Sequence, residues 1–149
     1  MQTQSSSRKD TVDHLNSFLR GELSAVETYR QALKKLDAFA HRATLEQCAR
    51  SHEQRVQLLS EEVRRLGGDP AKGSGTWGSF AQLVEGGATL LGDKAAIAAL
   101  EEGEDHGKAD YRRDLGSLDG EARLFVESRV LPEQIRTHDA MSTLKKSLS

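Results

Sequence analysis

Four residues of this chain have the types and spacing to build a metal centre: Glu22, His52, Glu104 and His138. Carboxylates and neutral imidazoles are the donors that zinc, iron and manganese take from proteins, with water completing the shell. Glu22 and Glu104 hold matching places in segments 21–33 and 103–115, where Gly21, Glu22, Tyr29, Arg30 and Leu33 recur as Gly103, Glu104, Tyr111, Arg112 and Leu115. Five identities in thirteen positions mark an internal repeat. A second echo sets Arg50-Ser51-His52-Glu53 against Arg136-Thr137-His138-Asp139, so each Glu precedes a His by about thirty residues.

A carboxylate on the inner seam of a helical bundle must be paired, protonated or bound to a cation, and two of them would repel each other. One divalent transition metal shared by two glutamates and two histidines answers both problems. The metal-free alternative is two buried Glu–His pairs that hold helix register, and the residues leave both readings open. Tyr29 and Tyr111 are read either as hydrogen-bond donors to the carboxylates two turns away or as core residues with satisfied hydroxyls. Glu101 and Cys48 lie one turn before Glu104 and His52 and could extend the site, although Cys48 also suits a small core position. His14, His41 and His106 have no matching partners and are read as surface residues.

Such a site needs helices. The first has an apolar stripe of Leu15, Phe18, Val26, Tyr29, Leu33 and Leu36 with Glu22 inside it, capped by Asp10 or Thr11 after a frayed tail over 1–9. The second follows a turn at Asp37, with seam Leu45, Cys48, Ala49, His52, Val56, Leu59, Val63 and Leu66, and stops at Gly67-Gly68-Asp69-Pro70. Residues 67–93 hold eight of the thirteen glycines, and within them 77–91 reads as a short helix in a crossover, anchored by Trp77. Asp93 caps a third helix with seam Ile97, Leu100, Glu104, Gly107 or Lys108, Tyr111, Leu115 and Leu118. After a turn at Asp119-Gly120 the fourth carries Leu124, Leu131, Ile135, His138, Met141 or Ser142, and Leu148, with a bend at Pro132. Residues level with each other in an antiparallel hairpin are equidistant from the turn. The midpoint of Glu22 and His52 is residue 37, and that of Glu104 and His138 is residue 121, beside the second turn. Each Glu–His pair therefore shares a height.

The composition agrees. Of 149 residues, 30% are charged and 5% aromatic, with two prolines, which suits long helices rather than a sandwich or barrel, and the length suits one domain over 10–149. A net charge of −2 gives no reason to expect nucleic acid or an anionic membrane as partner. One cysteine excludes an intramolecular disulfide and points to a reducing, cytoplasmic setting; no apolar run approaches a membrane span. No Ser/His/Asp arrangement, phosphate loop or CxxC pair stands out, so whether the chain is an enzyme is left open.

With Glu22 followed by Tyr29, Glu104 by Tyr111, and His52 ahead of the Gly67-Gly68-x-Pro70 stop, the chain resembles the ferritin-like superfamily, bacterioferritins and rubrerythrins among it. The Gly-rich middle and repeated Gly-Glu resemble, within that superfamily, a small bacterial four-helix-bundle family of unknown function. The resemblance covers about residues 10–145. It implies an all-α, ferritin-like bundle of two antiparallel hairpins with a short crossover helix, and a metal-linked role in stress or redox chemistry. Di-iron members add Glu-x-x-His on two helices. Here Ala49 and Ile135 stand three residues before His52 and His138. Without those bridging carboxylates a mononuclear Glu22, His52, Glu104, His138 site is the expectation. The rival is a metal-free module that assembles through a bundle face, with a homo-oligomer as one partner in view.

Overall fold

The computed structural model describes residues 2–35, 39–73, 93–118 and 120–148. Among these residues the chain is helical, with no strand. The elements are α1 (Gln2–Lys35), α2 (Phe39–Arg65), α3 (Asp93–Leu115), α4 (Gly120–Phe125), a π-helical turn (Val126–Val130) and α5 (Leu131–Ser147). The last three run on without a break, so four rods result. The expected crossover helix over 77–91, with Trp77, lies outside the described residues, as do Asp37 and Asp119.

The rods pair as antiparallel hairpins. In the first, Arg42 donates to the Leu33 carbonyl, His52 meets Glu22, and Asn16 donates to the Asp69 carbonyl, so one helix descends as the other climbs. In the second, Lys145 bonds Glu101 and Thr137 bonds Glu104. Tyr29 with Glu104 and Tyr111 with Glu22 make α1 and α3 antiparallel as well. Asn16 also accepts from the Ala71 amide, which ties the chain beyond α2 back onto α1.

Hydrophobic burial builds two apolar layers. One joins Ala32, Leu45, Cys48, Ile97, Leu100 and Met141. The other joins Leu15, Phe18, Leu19, Leu59, Val63, Leu118, Val126 and Val130. The seams read from α1, α2 and α3 supply most of these residues, because large aliphatic side chains recurring at three and four positions face one way on a straight helix. Between the layers lie the buried polar residues Glu22, His52, Arg55, Glu104, Gln134 and Thr137.

Two local features depart from the sequence reading. Thr11 does not cap α1: its hydroxyl bonds the Ser7 carbonyl one turn back, inside a helix that already includes residues 2–9. The fourth rod buries Ala122, Val126, Val130, Gln134, Thr137 and Met141, whereas Leu124 and Ile135 are 66% and 45% exposed. From Ala122 to Gln134 the buried positions advance by four three times, where three α-turns take about 10.8 residues. The π turn absorbs the surplus residue. It ends just before Pro132, which sits in the first turn of α5, where its missing N–H costs least. The helix 2 stop holds. Gly67 takes φ +84°, its amide bonds the Arg64 carbonyl, and the Gly68 amide bonds that of Val63. A Cβ at Gly68 would come within 2.6 Å of Val12, so only glycine lets α1 lie this close.

Candidate functional site

The polar layer is organised around His52, which α2 projects between Glu22 and Glu104. Its Nδ1 lies 2.5 Å from Glu22 Oε1 and its Nε2 3.0 Å from Glu104 Oε2. The tyrosines of the two matching segments serve the opposite segment: Tyr111 donates to Glu22 Oε2 at 2.8 Å, and Tyr29 donates to Glu104 Oε2 at 2.8 Å. Antiparallel α1 and α3 produce this crossing, since each Tyr sits about two turns from its own Glu and level with the other. Both tyrosines are thus core residues with satisfied hydroxyls, and the carboxylates they serve are on the opposite helix rather than two turns away on their own.

Arg55, one turn beyond His52 and wholly buried, enters the same layer. Its Nη1 lies 3.3 Å from Glu22 Oε2, close enough to neutralise it but poorly aligned for a hydrogen bond. Its Nη2 donates to Thr137 Oγ1 at 3.0 Å, and Thr137 in turn donates to Glu104 Oε1 at 2.9 Å. Gln134 donates to the Glu104 carbonyl at 3.2 Å. Every oxygen of both carboxylates therefore has a partner.

Charge follows from these contacts. Burial pushes the Glu22 carboxyl up, but Arg55, His52 and the Tyr111 hydroxyl outweigh it and hold it at about 2. Burial also works against ionised Glu104, and the charge and hydrogen bond of His52 pull its carboxyl below the usual range. For His52 burial disfavours the imidazolium, yet Glu104 and Glu22 raise it above 6.5. Two carboxylates then balance one imidazolium and one guanidinium. Both tyrosine hydroxyls are driven well above 10, by burial first and by Glu104 or Glu22 second, so they remain donors. Burial and Glu104 push the Cys48 thiol up to about 11; it belongs to the apolar layer as an inert hydrophobe.

Of the four proposed ligands, Glu22, His52 and Glu104 meet and His138 does not. His138 Nε2 lies 2.5 Å from Asp105 Oδ1 and its Nδ1 3.4 Å from Asp139, on the outer side of α3 and α5. The expected height was right and the azimuth wrong: Thr137 faces Glu104, and the next residue points about 100° away. Glu101 joins His138 and Asp105 rather than Glu104, with one ligand atom from each within 4.8 Å of the others. The buried trio is a poor first shell for one ion. A different carboxylate occupies each His52 nitrogen, and a fixed guanidinium already supplies the positive charge.

Sequence reasoning missed Arg55, Gln134 and Thr137. A signal was there: the offset of 82 residues that relates Glu22 to Glu104, carried into the second helices, matches His52 with Gln134 and Arg55 with Thr137. The echo around His138 has an offset of 86 and belongs to a different register.

Residues 10–116 match the family described as Domain of unknown function (DUF2383). The chain belongs to the DUF2383 family. The match takes in α1 to α3, with Glu22, His52, Arg55 and Glu104, and leaves Gln134 and Thr137 beyond it. No curated protein and no solved structure matches the chain. No helix among the described residues is long and apolar enough to cross a membrane.

Proposed function

We propose that this DUF2383 chain works as a metal-free helical interaction module, in which the buried charge layer fixes how its two hairpins pair. The observation that carries this reading is Arg55, which with protonated His52 offsets both glutamates inside the protein. A buried charge network specifies alignment because any slipped register strands a charge without its partner. A ferritin-like bundle with the crossover expected over 77–91, in a cytoplasmic setting, is part of the proposal. So is assembly into a homo-oligomer through a bundle face, where Leu124 and Ile135 are the large apolar side chains to cover. The test is elemental analysis of protein purified without added metal, together with melting curves in zinc, iron and manganese. Substoichiometric metal and an unchanged melting temperature are expected. One equivalent of metal that Glu104→Ala loses would overturn the reading.

A second reading keeps the divalent metal and moves it outward. Glu101, Asp105 and His138 present two carboxylates and an imidazole within reach of one ion, a donor set that suits zinc or manganese. Lys145, 3.2 Å from Glu101, competes for that carboxylate. Metal lost on His138→Ala but retained in Glu104→Ala would select this site.

A further inference from the structure

The repeated residues converge on a cavity. Between α1 and α3 lies a space of about 50 Å³, and Gly21, Glu22 and Tyr29 line it together with their repeat mates Gly103, Glu104 and Tyr111. Ala25 and Gly107, also 82 residues apart, line it too. The duplication thus repeats the walls of a cavity on the axis relating the two hairpins, and glycine stands at three of those positions. Arg55 reaches it from α2 and Gln134 from α5.

Those last two side chains point to an occupant. Gln134 Oε1 is buried with no hydrogen-bond partner among the described residues, and Arg55 Nη1, though ion-paired with Glu22 Oε2 at 3.3 Å, makes no aligned hydrogen bond there; the residues are 1% and 0% exposed. A buried donor and a buried acceptor left unmet are each costly. One guest bearing an acceptor and a donor satisfies both. The surrounding charges already balance, so a charged guest would itself be stranded. One water needs ~10–15 Å³ of such space, which leaves room for a molecule of about four heavy atoms.

We infer that the cavity on the repeat axis is a binding site for a small uncharged molecule that accepts from Arg55 and donates to Gln134, in the manner of a primary amide. The proposal is independent of the scaffold reading, which concerns metal and the pairing of hairpins. Acetamide is the probe and acetate its charged counterpart, titrated into the full chain by ligand-observed NMR. Saturable acetamide binding is expected, with acetate at least about tenfold weaker.

Gly107→Ala keeps the test clear of misfolding. A Cβ there would lie 3.9 Å from Gln134 Nε2, an ordinary contact, and Ala is the better helix former. The variant should melt no lower than the parent while binding acetamide about tenfold more weakly, as should Gln134→Leu, which removes one hydrogen bond. Three results would overturn the inference: no saturable acetamide binding in the parent, equal binding by acetate, or unchanged binding in Gly107→Ala. A crystal structure grown in acetamide that shows only water in the cavity would do the same.

Discussion

Glu104 and Asp105 are neighbours in α3, and each meets a histidine. Glu104 meets His52 at 3.0 Å, with both side chains 5% exposed or less, among two tyrosines, a second glutamate and a wholly buried arginine. Asp105 meets His138 at 2.5 Å, but its side chain is 57% exposed against 12% for His138, and Asp139 and Glu101 are the company. The shorter contact is the weaker determinant of the fold. In water a lost partner is replaced by solvent, whereas between two apolar layers a lost partner leaves a charge with nothing. The distance alone does not rank the two pairs; their surroundings do.

Breaking the buried side should have the largest effect. Arg55→Met leaves two carboxylates facing one imidazolium and is expected to cost about 3–5 kcal/mol in urea unfolding. Adding Glu22→Gln should recover much of that loss. If Arg55→Met alone is neutral, the layer is not the charge-balanced unit described above.

The second effect is a pH window. Glu22 falls from 4.5 to about 2 on folding, so its stabilisation is complete above 4.5 and lost as pH drops through about 2. His52 is raised from 6.5, so its contribution is complete below 6.5 and lost as pH climbs through its folded value. Urea midpoints should therefore peak between 4.5 and 6.5. The acid-side loss is about 3 kcal/mol from Glu22. A His52→Gln variant should lose the alkaline decline, and persistence of that decline would assign it elsewhere.

A smaller loss is expected from Tyr111→Phe, which removes one hydrogen bond to a charged acceptor, about 1.5–3 kcal/mol. It should also raise the acid limb, because Glu22 loses a donor that holds its carboxyl down. At the far end, His138→Ala should change stability by less than about 1 kcal/mol in metal-free buffer. A loss as large as that of Arg55→Met would erase the contrast between the two clusters.

Legibility followed side-chain size and helix regularity. Leu15, Phe18, Leu45, Leu59, Ile97 and Leu100 were readable as core because bulky apolar residues on regular helices leave a periodic trace. Glu22, His52 and Glu104 stood out as polar residues inside that trace. In the fourth rod Met141, Leu131 and Leu148 were read correctly, but the rest of its inner row is Ala, Val, Gln and Thr, types that serve as well outside as inside. Large residues such as Leu124 and Ile135 drew attention to the wrong face. Pro132 announced an irregularity there, but not that a π turn would shift which residues face inward.

The identities between segments 21–33 and 103–115, the helical periodicity and the type of each residue are properties of the sequence, and they were enough to place two glutamates and one histidine at a common depth. Which side chain of the fourth rod joins them depends on azimuth, and a single extra residue in a turn alters that by about 100°. The protonation of the layer depends on distances among four rods. Arg55 became part of the centre only when packing brought its guanidinium beside Glu22, an interaction between residues thirty-three apart that no local pattern encodes.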